Sequence, residues 1–199
     1  MRLREPRQTT AADERRFEII DSATLVFSEV GFRSASMRKI AELSGLSTGA
    51  VSRIFRDKEE LLTAVLEHRD EIDDERIQLD RHSGIQALRQ LLGLVVLNAT
   101  RRRIVELFVI LSAEATAADH PAHDFFVERY ERLRGGIERA YRRAATEGTL
   151  KPGIDPVRAS IQLTALMDGL QVQWLLSDGA LDMVAAFRAH LQNQVTEVL

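Results

Sequence analysis

The stretch from residue 36 to residue 62 constrains the fold more than any other part of the chain. Ser36 and Ser47 are of a type that caps helices, because a serine hydroxyl accepts a hydrogen bond from a backbone N–H that the helix leaves unpaired. Gly45 lies between them, and glycine ends helices in the left-handed conformation without steric cost. The spacing therefore predicts two short helices around a tight turn.

The second of these helices is predicted to have two unlike sides. Its buried side carries Leu46, Val51, Ile54 and Phe55. Its other side is small, polar or basic, and consists of Thr48, Gly49, Ala50, Ser52 and Arg53. A helix with small outer side chains can lie deep in the major groove of DNA, so this layout indicates a helix-turn-helix.

Two further helices complete this amino-terminal unit. Residues 12–30 have an amphipathic pattern that ends at Gly31 and predicts packing across the two short helices. Asp57, with Glu60 three residues further on, forms a capping box that starts a long connecting helix. Lys58 lies in the first turn of that helix, where the helix dipole disfavours a cation, so it needs a partner. A DNA phosphate is the favoured partner, and a solvated lysine is the alternative.

Residues 12–72 resemble the DNA-binding domain of the TetR family of transcriptional regulators. The matching residues, in chain order, are Ile40, Ala41, Ser44, Gly45, Leu46, Ser47, Gly49, Phe55, Lys58, Glu59 and Leu61. Two positions depart from the family pattern. Ser52 replaces a tyrosine that often touches a DNA phosphate, and Ile54 replaces a histidine or a tyrosine. Ser52 is too short to make the contact of that tyrosine.

The resemblance implies a sequence-specific DNA-binding regulator. It implies a homodimer that places two recognition helices about 34–36 Å apart on a pseudo-palindromic operator. It also implies a repressor that leaves the operator when a small-molecule effector binds its helical body. Arg53 is the best candidate for reading a guanine, and Ser36, Arg38 and Lys58 are expected to hold phosphates. The full set of expected DNA-binding residues is Ser36, Arg38, Ser47, Thr48, Gly49, Ala50, Ser52, Arg53 and Lys58.

Composition and charge agree with this class of protein. Only 11 glycines and 4 prolines occur in 199 residues, which favours helices. Residues 1–58 carry 11 Lys/Arg and 8 Asp/Glu, whereas residues 59–199 carry 16 and 22. A mildly basic head on an acidic body fits a protein that touches DNA with one end. The lack of cysteine fits a reducing cytoplasm, and no apolar run approaches the roughly 20 residues that cross a membrane.

Helical periodicity predicts five more helices after residue 78, giving an all-α chain of about nine helices. They are expected at residues 85–99, 101–115, 124–147, 157–176 and 181–198. The expected domains are a flexible basic arm at 1–11, a helix-turn-helix domain at 12–57, a connecting helix at 58–78 and a ligand-binding and dimerisation body at 79–199. The arm is either a disordered tail or a segment whose arginines approach DNA.

The body is expected to bind both the effector and the partner subunit. Asp155-Pro156 and residues 165–170 resemble the carboxy-terminal region of the family. Candidate effector-binding residues are Phe108, Glu114, Phe126, Tyr130 and Trp174, although core packing explains the four aromatic residues about as well. Helix 157–176 is apolar on more than one side and needs a second surface to cover it. Candidate dimerisation residues are Ile161, Ala165, Val172, Val184, Phe187 and Leu191.

A metal site and a catalytic site are less well supported. His120 and His123 invite a metal, but no cysteine and no Glu-x-x-His pattern accompanies them, so surface histidines are favoured. Arg101-Arg102-Arg103 is interpreted mainly as a solvated cluster, and the alternative is that it faces the DNA-binding head or an acidic ligand. The sequence has no phosphate-cradling glycine loop and no nucleophile elbow, so we expect no cofactor and no enzyme.

Two alternative functions remain at this stage. One is a small helical ligand-binding protein or enzyme with a degenerate DNA-binding head, whose acid and base groups would have to come from Glu114, Asp168 and the histidines. Otherwise Asp168 is interpreted as a capping or interface group. The other is an architectural DNA-binding protein without a ligand, which conflicts with a net charge of −3.

Overall fold

The computed structural model describes residues 10–199, and the regular structure in that range is helical apart from one isolated β-bridge. This confirms the all-α prediction. The nine α-helices of the described range are α1 (Ala11–Ser34), α2 (Met37–Leu43), α3 (Thr48–Ile54), α4 (Lys58–Ile77), α5 (Gly84–Asn98), α6 (Arg102–Glu114), α7 (His123–Thr146), α8 (Pro156–Leu176) and α9 (Met183–Gln192). Nearly all of the predicted basic arm lies outside the described residues.

The predicted caps of the amino-terminal helices are all formed. Ser36, Ser47 and Asp57 each accept a hydrogen bond from the backbone N–H three residues further on, at 3.2, 3.2 and 2.8 Å. Gly45 has a φ of 67° and ends α2 as expected. Interactions between residues close in the sequence therefore define the ends of the helices in the helix-turn-helix.

Two hydrophobic cores hold the chain together. The first is centred on the aromatic rings of Phe27 and Phe55 between α1, α3 and α4, and it extends into the body through Leu107, Leu111 and Phe126. The second lies mainly in the body, where it joins α5, α7, α8 and α9, and it includes Ile77 at the end of α4. Because the first core includes residues of α6 and of the start of α7, the head packs directly against these two helices of the body.

The last predicted helix is shorter than expected. Helix α9 ends at Gln192, and the chain then folds back on the turn between α7 and α8. The backbone N–H of Lys151 donates to the carbonyl of Gln194 at 2.8 Å, and Leu150 forms a β-bridge with Val195. Burial of Val195 in this bridge accounts for its apolar character, which sequence periodicity had assigned to a continuing helix.

Helix α1 is kinked near its end at Gly31, where φ is 71° and ψ is 179°. This region of backbone conformation is essentially restricted to glycine. The kink frees the N–H of Phe32, which donates to the Glu114 carboxylate of α6 at 2.8 Å. A Cβ atom on residue 31 would lie only 2.2 Å from Oε1 of Glu114. Gly31 is thus required both by its own backbone and by the close approach of α6.

We predict that Gly31→Ala destabilises the protein by about 1–3 kcal/mol, because alanine strains this backbone and displaces the Glu114 carboxylate. Gly93→Ala is the matched control. A Cβ atom at Gly93 in α5 meets nothing within 4 Å, so alanine there should be neutral or stabilising by up to about 1 kcal/mol. Chemical denaturation followed by circular dichroism measures both free energies. Equal stability of the two variants would contradict this account of the kink.

Candidate DNA-binding face and ligand cavity

Helix α3 presents the small face that the sequence predicts. Val51 is buried in the first core, whereas Thr48, Gly49, Ser52 and Arg53 are exposed. The capping residue Ser47 is also exposed, and Ala50 is half-buried. No atom lies within 4 Å of a Cβ placed on Gly49. A groove of DNA could therefore approach the backbone of α3 closely.

Basic side chains on this face are available to a polyanion. Arg53 has no hydrogen-bond or ion-pair partner among residues 10–199. Arg38 on α2 is exposed and has a 3.7 Å contact with Glu42, which is weak in solvent. Ser36 uses its hydroxyl as the cap of α2 but remains exposed. These positions agree with the expected DNA contacts without establishing any one of them.

Lys58 has a partner within the chain. Its ammonium donates to the carbonyl oxygens of Phe32, Arg33 and Ala35 at 2.7, 3.3 and 2.8 Å, and lies 4.4 Å from the centre of the Phe32 ring. A lysine has three protons to donate, so these bonds use them all. The alternative of a solvated lysine is therefore wrong. Contact with a phosphate stays a prediction that this geometry does not support.

A cavity of about 470 Å³ lies between α5, α6, α7 and α8. Three of the five predicted effector-binding residues line it, namely Phe108, Phe126 and Tyr130. The rings of Phe108 and Phe126 meet edge to face with centroids 6.1 Å apart. The remaining wall combines apolar side chains, such as Leu94, Val109 and Met167, with an equal number of polar ones, which are Asp73, Asn98, Ser112, Thr116, Arg129, Asp168 and Gln171. The volume and lining are those of a site for a drug-sized, largely apolar molecule.

The other two predicted effector-binding residues, Glu114 and Trp174, do not line this cavity. The Glu114 carboxylate points to the head, where it holds Phe32. The Trp174 ring packs in the second core near Gly179. Glu114 is a polar residue in the apolar stripe of α6, and this pattern correctly indicates a special role. Sequence periodicity does not show whether the carboxylate contacts the head or a ligand.

Two polar groups of the cavity interact directly across it. The Tyr130 hydroxyl donates to Oδ2 of Asp168 at 2.8 Å. Burial, with the nearby Asp168 carboxylate, raises the pKa of Tyr130 to about 12. Burial also raises the pKa of Asp168 above its ordinary value. The tyrosine therefore stays protonated and acts as a donor, and the ionised form of the aspartate is costly in this environment.

Sequence reasoning missed the functional position of Asp168 and Arg129. Asp168 is the acidic residue in an otherwise apolar stretch of α8, a signal that could have placed it beside the cavity. Arg129 lines the same cavity, with its guanidinium 4.6 Å from the centre of the Phe108 ring. Its Nε donates to Oδ1 of Asp70 on α4 at 2.8 Å. No short-range pattern indicates that pair, because its members lie on different helices.

A second cavity, of about 610 Å³, adjoins the first and shares Asp73, Leu94, Arg129 and Met167 with it. Its wall is rich in ion pairs. Asp70 accepts from Arg129 and Arg132, and Asp80 accepts from Arg139 at 2.7 and 2.9 Å.

Hydrogen bonds from Arg139 lower the pKa of Asp80 in this second cavity. Gly136 lines the same cavity, where a Cβ atom would be 3.0 Å from Leu79.

The histidine and arginine clusters differ from the sequence interpretation. His120 is buried rather than at the surface, with Nε2 3.5 Å from Oε2 of Glu114 and Nδ1 accepting from the N–H of Ala122. It is enclosed because the turn after α6 folds against Phe32. His123 is half-buried. Residues 10–199 contain no group of three or more His, Cys, Asp or Glu side chains arranged to hold a metal.

The three arginines at the start of α6 all have partners within the chain, although Arg102 and Arg103 remain exposed to solvent. Arg101 donates to Asp73 and Asn98. Arg102 pairs with Glu106 and Asp178. Arg103 pairs with Glu106 and also with Glu29 of α1 at 3.3 Å, so it faces the head.

The predicted dimerisation residues divide into two groups. Ile161, Ala165 and Val172 are exposed on α8, where 53% of Ile161 and 39% of Val172 is accessible. They form one stripe with the exposed Val157 and Leu176. On α9, Val184 is half-buried, whereas Phe187 and Leu191 are fully buried in the second core and their assignment is wrong. The exposed residues of α9 are Ala185, Ala186, Arg188 and Ala189.

A helix-turn-helix head joined to a helical body with an internal cavity defines a ligand-responsive DNA-binding regulator. Comparison with known proteins agrees. Residues 19–65 match the family described as bacterial regulatory proteins, tetR family. Residues 85–198 match the carboxy-terminal domain of BetI-type transcriptional repressors. The chain belongs to the TetR family of transcriptional regulators.

Individual relatives support this assignment. The chain is 31% identical over 187 residues to the HTH-type transcriptional regulator TtgR of Pseudomonas putida, covering 87% of this chain and 86% of TtgR. It is 34% identical to the regulator BetI of Yersinia pestis over 90 residues, or 45% of this chain and 40% of BetI.

Solved structures share the fold at lower identity. A complex of SmeT with triclosan superposes with a TM-score of 0.77 at 21% identity, covering 92% of this chain and 93% of SmeT. FadR of Bacillus subtilis in complex with stearoyl-CoA superposes with a TM-score of 0.76 at 20% identity, covering 92% and 99%.

The protein is thus a transcriptional regulator of the TetR family, whose members bind operator DNA as homodimers and respond to small-molecule effectors. The relatives are regulators and not enzymes. No helix in the described part of the chain is long and apolar enough to cross a membrane.

Proposed function

We propose that α3 reads the operator and that the cavity between α5 and α8 takes the effector, whose binding releases the DNA. The observation that carries this proposal is that α6 contacts both the cavity and the head. Phe108 and Ser112 of α6 line the cavity, and Glu114 at its end holds the backbone of the head. A ligand that prefers one position of α6 must also favour one position of the head.

The proposed DNA contacts are the exposed residues of α3 and its cap, with Arg38 and Ser36 at the backbone phosphates. Arg53 is proposed as the base-reading residue, because its long basic side chain is exposed and has no partner among the described residues. Ser52 stays on the same face, without the reach of a tyrosine. The protein would act in the cytoplasm, as a regulator and not as an enzyme.

The proposed domain division follows the same logic. The helix-turn-helix domain would span residues 12–57, the connecting helix 58–78 and the body 79–199. Residues 1–9 of the proposed arm lie outside the described chain, whereas Thr10 already caps α1.

We predict that Arg53→Ala loses about 1–3 kcal/mol of discrimination between the operator and a scrambled site. The experiment is a mobility-shift assay with the DNA upstream of the gene itself, at several salt concentrations. Arg56→Ala is the control, because Arg56 is exposed but already paired with Asp57 at 2.8 Å. An equal loss of binding to all sequences would make Arg53 a phosphate contact. Failure of the wild-type dimer to select any site from random DNA would contradict the proposed function.

The proposed dimer interface combines the apolar stripe of α8 with the small exposed face of α9. Alanines let two helices approach closely, and the α8 stripe supplies the apolar area that a stable interface needs. This assignment retains Ile161, Ala165 and Val172 of the original candidates and replaces Phe187 and Leu191 by Ala185 and Ala189.

We predict that Ile161→Glu converts the dimer to a monomer while the helical content is retained, because it buries a charge in the interface and not in the core. Val127→Glu is the control, since Val127 is an exposed valine of α7 outside this stripe. Sedimentation velocity with circular dichroism measures both properties. A dimeric Ile161→Glu variant would show that another surface holds the subunits together.

A further inference from the structure

The cavity contains a carboxyl group that the protein leaves without a cation. Asp168 accepts one hydrogen bond, from Tyr130, and has no ion-pair partner among residues 10–199. Asp74 of the second cavity also lacks an ion pair among the described residues, whereas three other aspartates around the two cavities are compensated, among them Asp80 by Arg139. Asp70 is paired with Arg129 and Arg132, and Asp73 with Arg69 and Arg101.

The surroundings of Asp168 make this lack of compensation costly. Phe108, Phe126 and Met167 line the same cavity and offer no polar atoms apart from the weak acceptor of the methionine. A carboxylate removed from water is stabilised by a nearby positive charge more than by a neutral hydrogen bond. Arg129 favours the ionised Asp168 electrostatically but forms no ion pair with it, so a ligand that brings its own cation would gain a direct ion pair that no described residue now makes.

The aromatic walls suit the same kind of ligand. The face of an aromatic ring attracts a cation, and the Phe108 ring already has the Arg129 guanidinium over it at 4.6 Å. Phe126 and Tyr130 are in ring contact with each other beside it. Three aromatic rings and a carboxyl group without an ion pair share this cavity, and together they form an environment in which an ammonium can exchange its hydration for protein contacts.

An anionic ligand would find no unpaired cation among the described residues that line this cavity. Arg129 is the guanidinium that lines the cavity, and its Nε is already bonded to Asp70. A ligand carboxylate would have to compete with that ion pair and would be repelled by Asp168 when Asp168 is ionised. The balance of charges in the wall therefore favours a positive ligand over a negative one.

We infer that the effector is an organic cation, in which an amine or a quaternary ammonium pairs with Asp168 and an apolar body packs against Phe108 and Phe126. This inference rests on the proposed function of the cavity as the effector site. The volume of about 470 Å³ accommodates a molecule of drug size.

The test uses three probes with one apolar body and three different charges: 6-phenylhexylamine, 6-phenylhexan-1-ol and 6-phenylhexanoate. Isothermal titration calorimetry with the full-length dimer measures their affinities. We expect the wild type to bind the amine at least tenfold more tightly than the alcohol and to bind the acid most weakly. Equal affinities of the three probes, a preference for the acid, or no binding of the amine would overturn the inference without the need for any variant.

Two variants that each remove one negative charge test whether the preference for the amine over the alcohol depends on Asp168. Asp168→Asn should reduce the preference for the amine over the alcohol to less than threefold and leave the alcohol affinity unchanged. Asp178→Asn is the control, because Asp178 is exposed and pairs with Arg102 outside the cavity. It should retain the wild-type preference. An Asp168→Asn variant that still prefers the amine tenfold would overturn the role of Asp168.

A third variant tests separately whether the cavity is the effector site. Val109→Trp should fill the cavity and abolish binding of all three probes, since Val109 lines it. If the amine still binds this variant as it binds the wild type, the probes occupy another place, and the cavity is not the effector site. Equal binding of the three probes to the wild type, abolished by Val109→Trp, would instead retain the cavity and reject only the cation.

Discussion

The position of the head depends on how the backbone groups freed by the kink at Gly31 are satisfied. Buried polar groups of the main chain must find partners, and here two other helices supply them. Glu114 of α6 accepts from the N–H of Phe32, and Lys58 of α4 donates to three carbonyls of the same turn. The end of α1 is thus held by one carboxylate and one ammonium, and both would lose these hydrogen bonds if α1 were to shift.

This junction connects the two functions of the molecule. Ser112 and Thr116 line the ligand cavity on either side of Glu114 in the sequence, so a ligand there acts within one helical turn of the group that holds the head. Arg103 adds a second contact from α6 to α1 through Glu29. Helix α6 also packs on α1 through the first hydrophobic core, so a displacement of α6 is transmitted to α1 by apolar packing as well as by these two polar contacts.

Local chemistry explains which parts of the structure could be predicted. Ser36, Ser47 and Asp155 cap helices through residues three positions away, so the sequence already contains both partners. Glu114 and Phe32 are 82 positions apart, and no local pattern pairs them. The prediction for α9 was wrong for a different reason, since it placed the buried Phe187 and Leu191 on the face that meets the partner subunit. Alanine and phenylalanine both count as apolar, and only the packed structure shows that Phe187 faces inward and Ala189 outward.

The most direct test of this account is the distance between the two heads of the dimer, measured by double electron–electron resonance. The chain has no cysteine, so Asp21→Cys on the exposed side of α1 provides one spin label per subunit. We predict a narrow distance distribution that becomes broad in Glu114→Ala but stays narrow in Glu128→Ala, an exposed carboxylate of α7. An unchanged distribution in Glu114→Ala would contradict the claim that this carboxylate sets the position of the head.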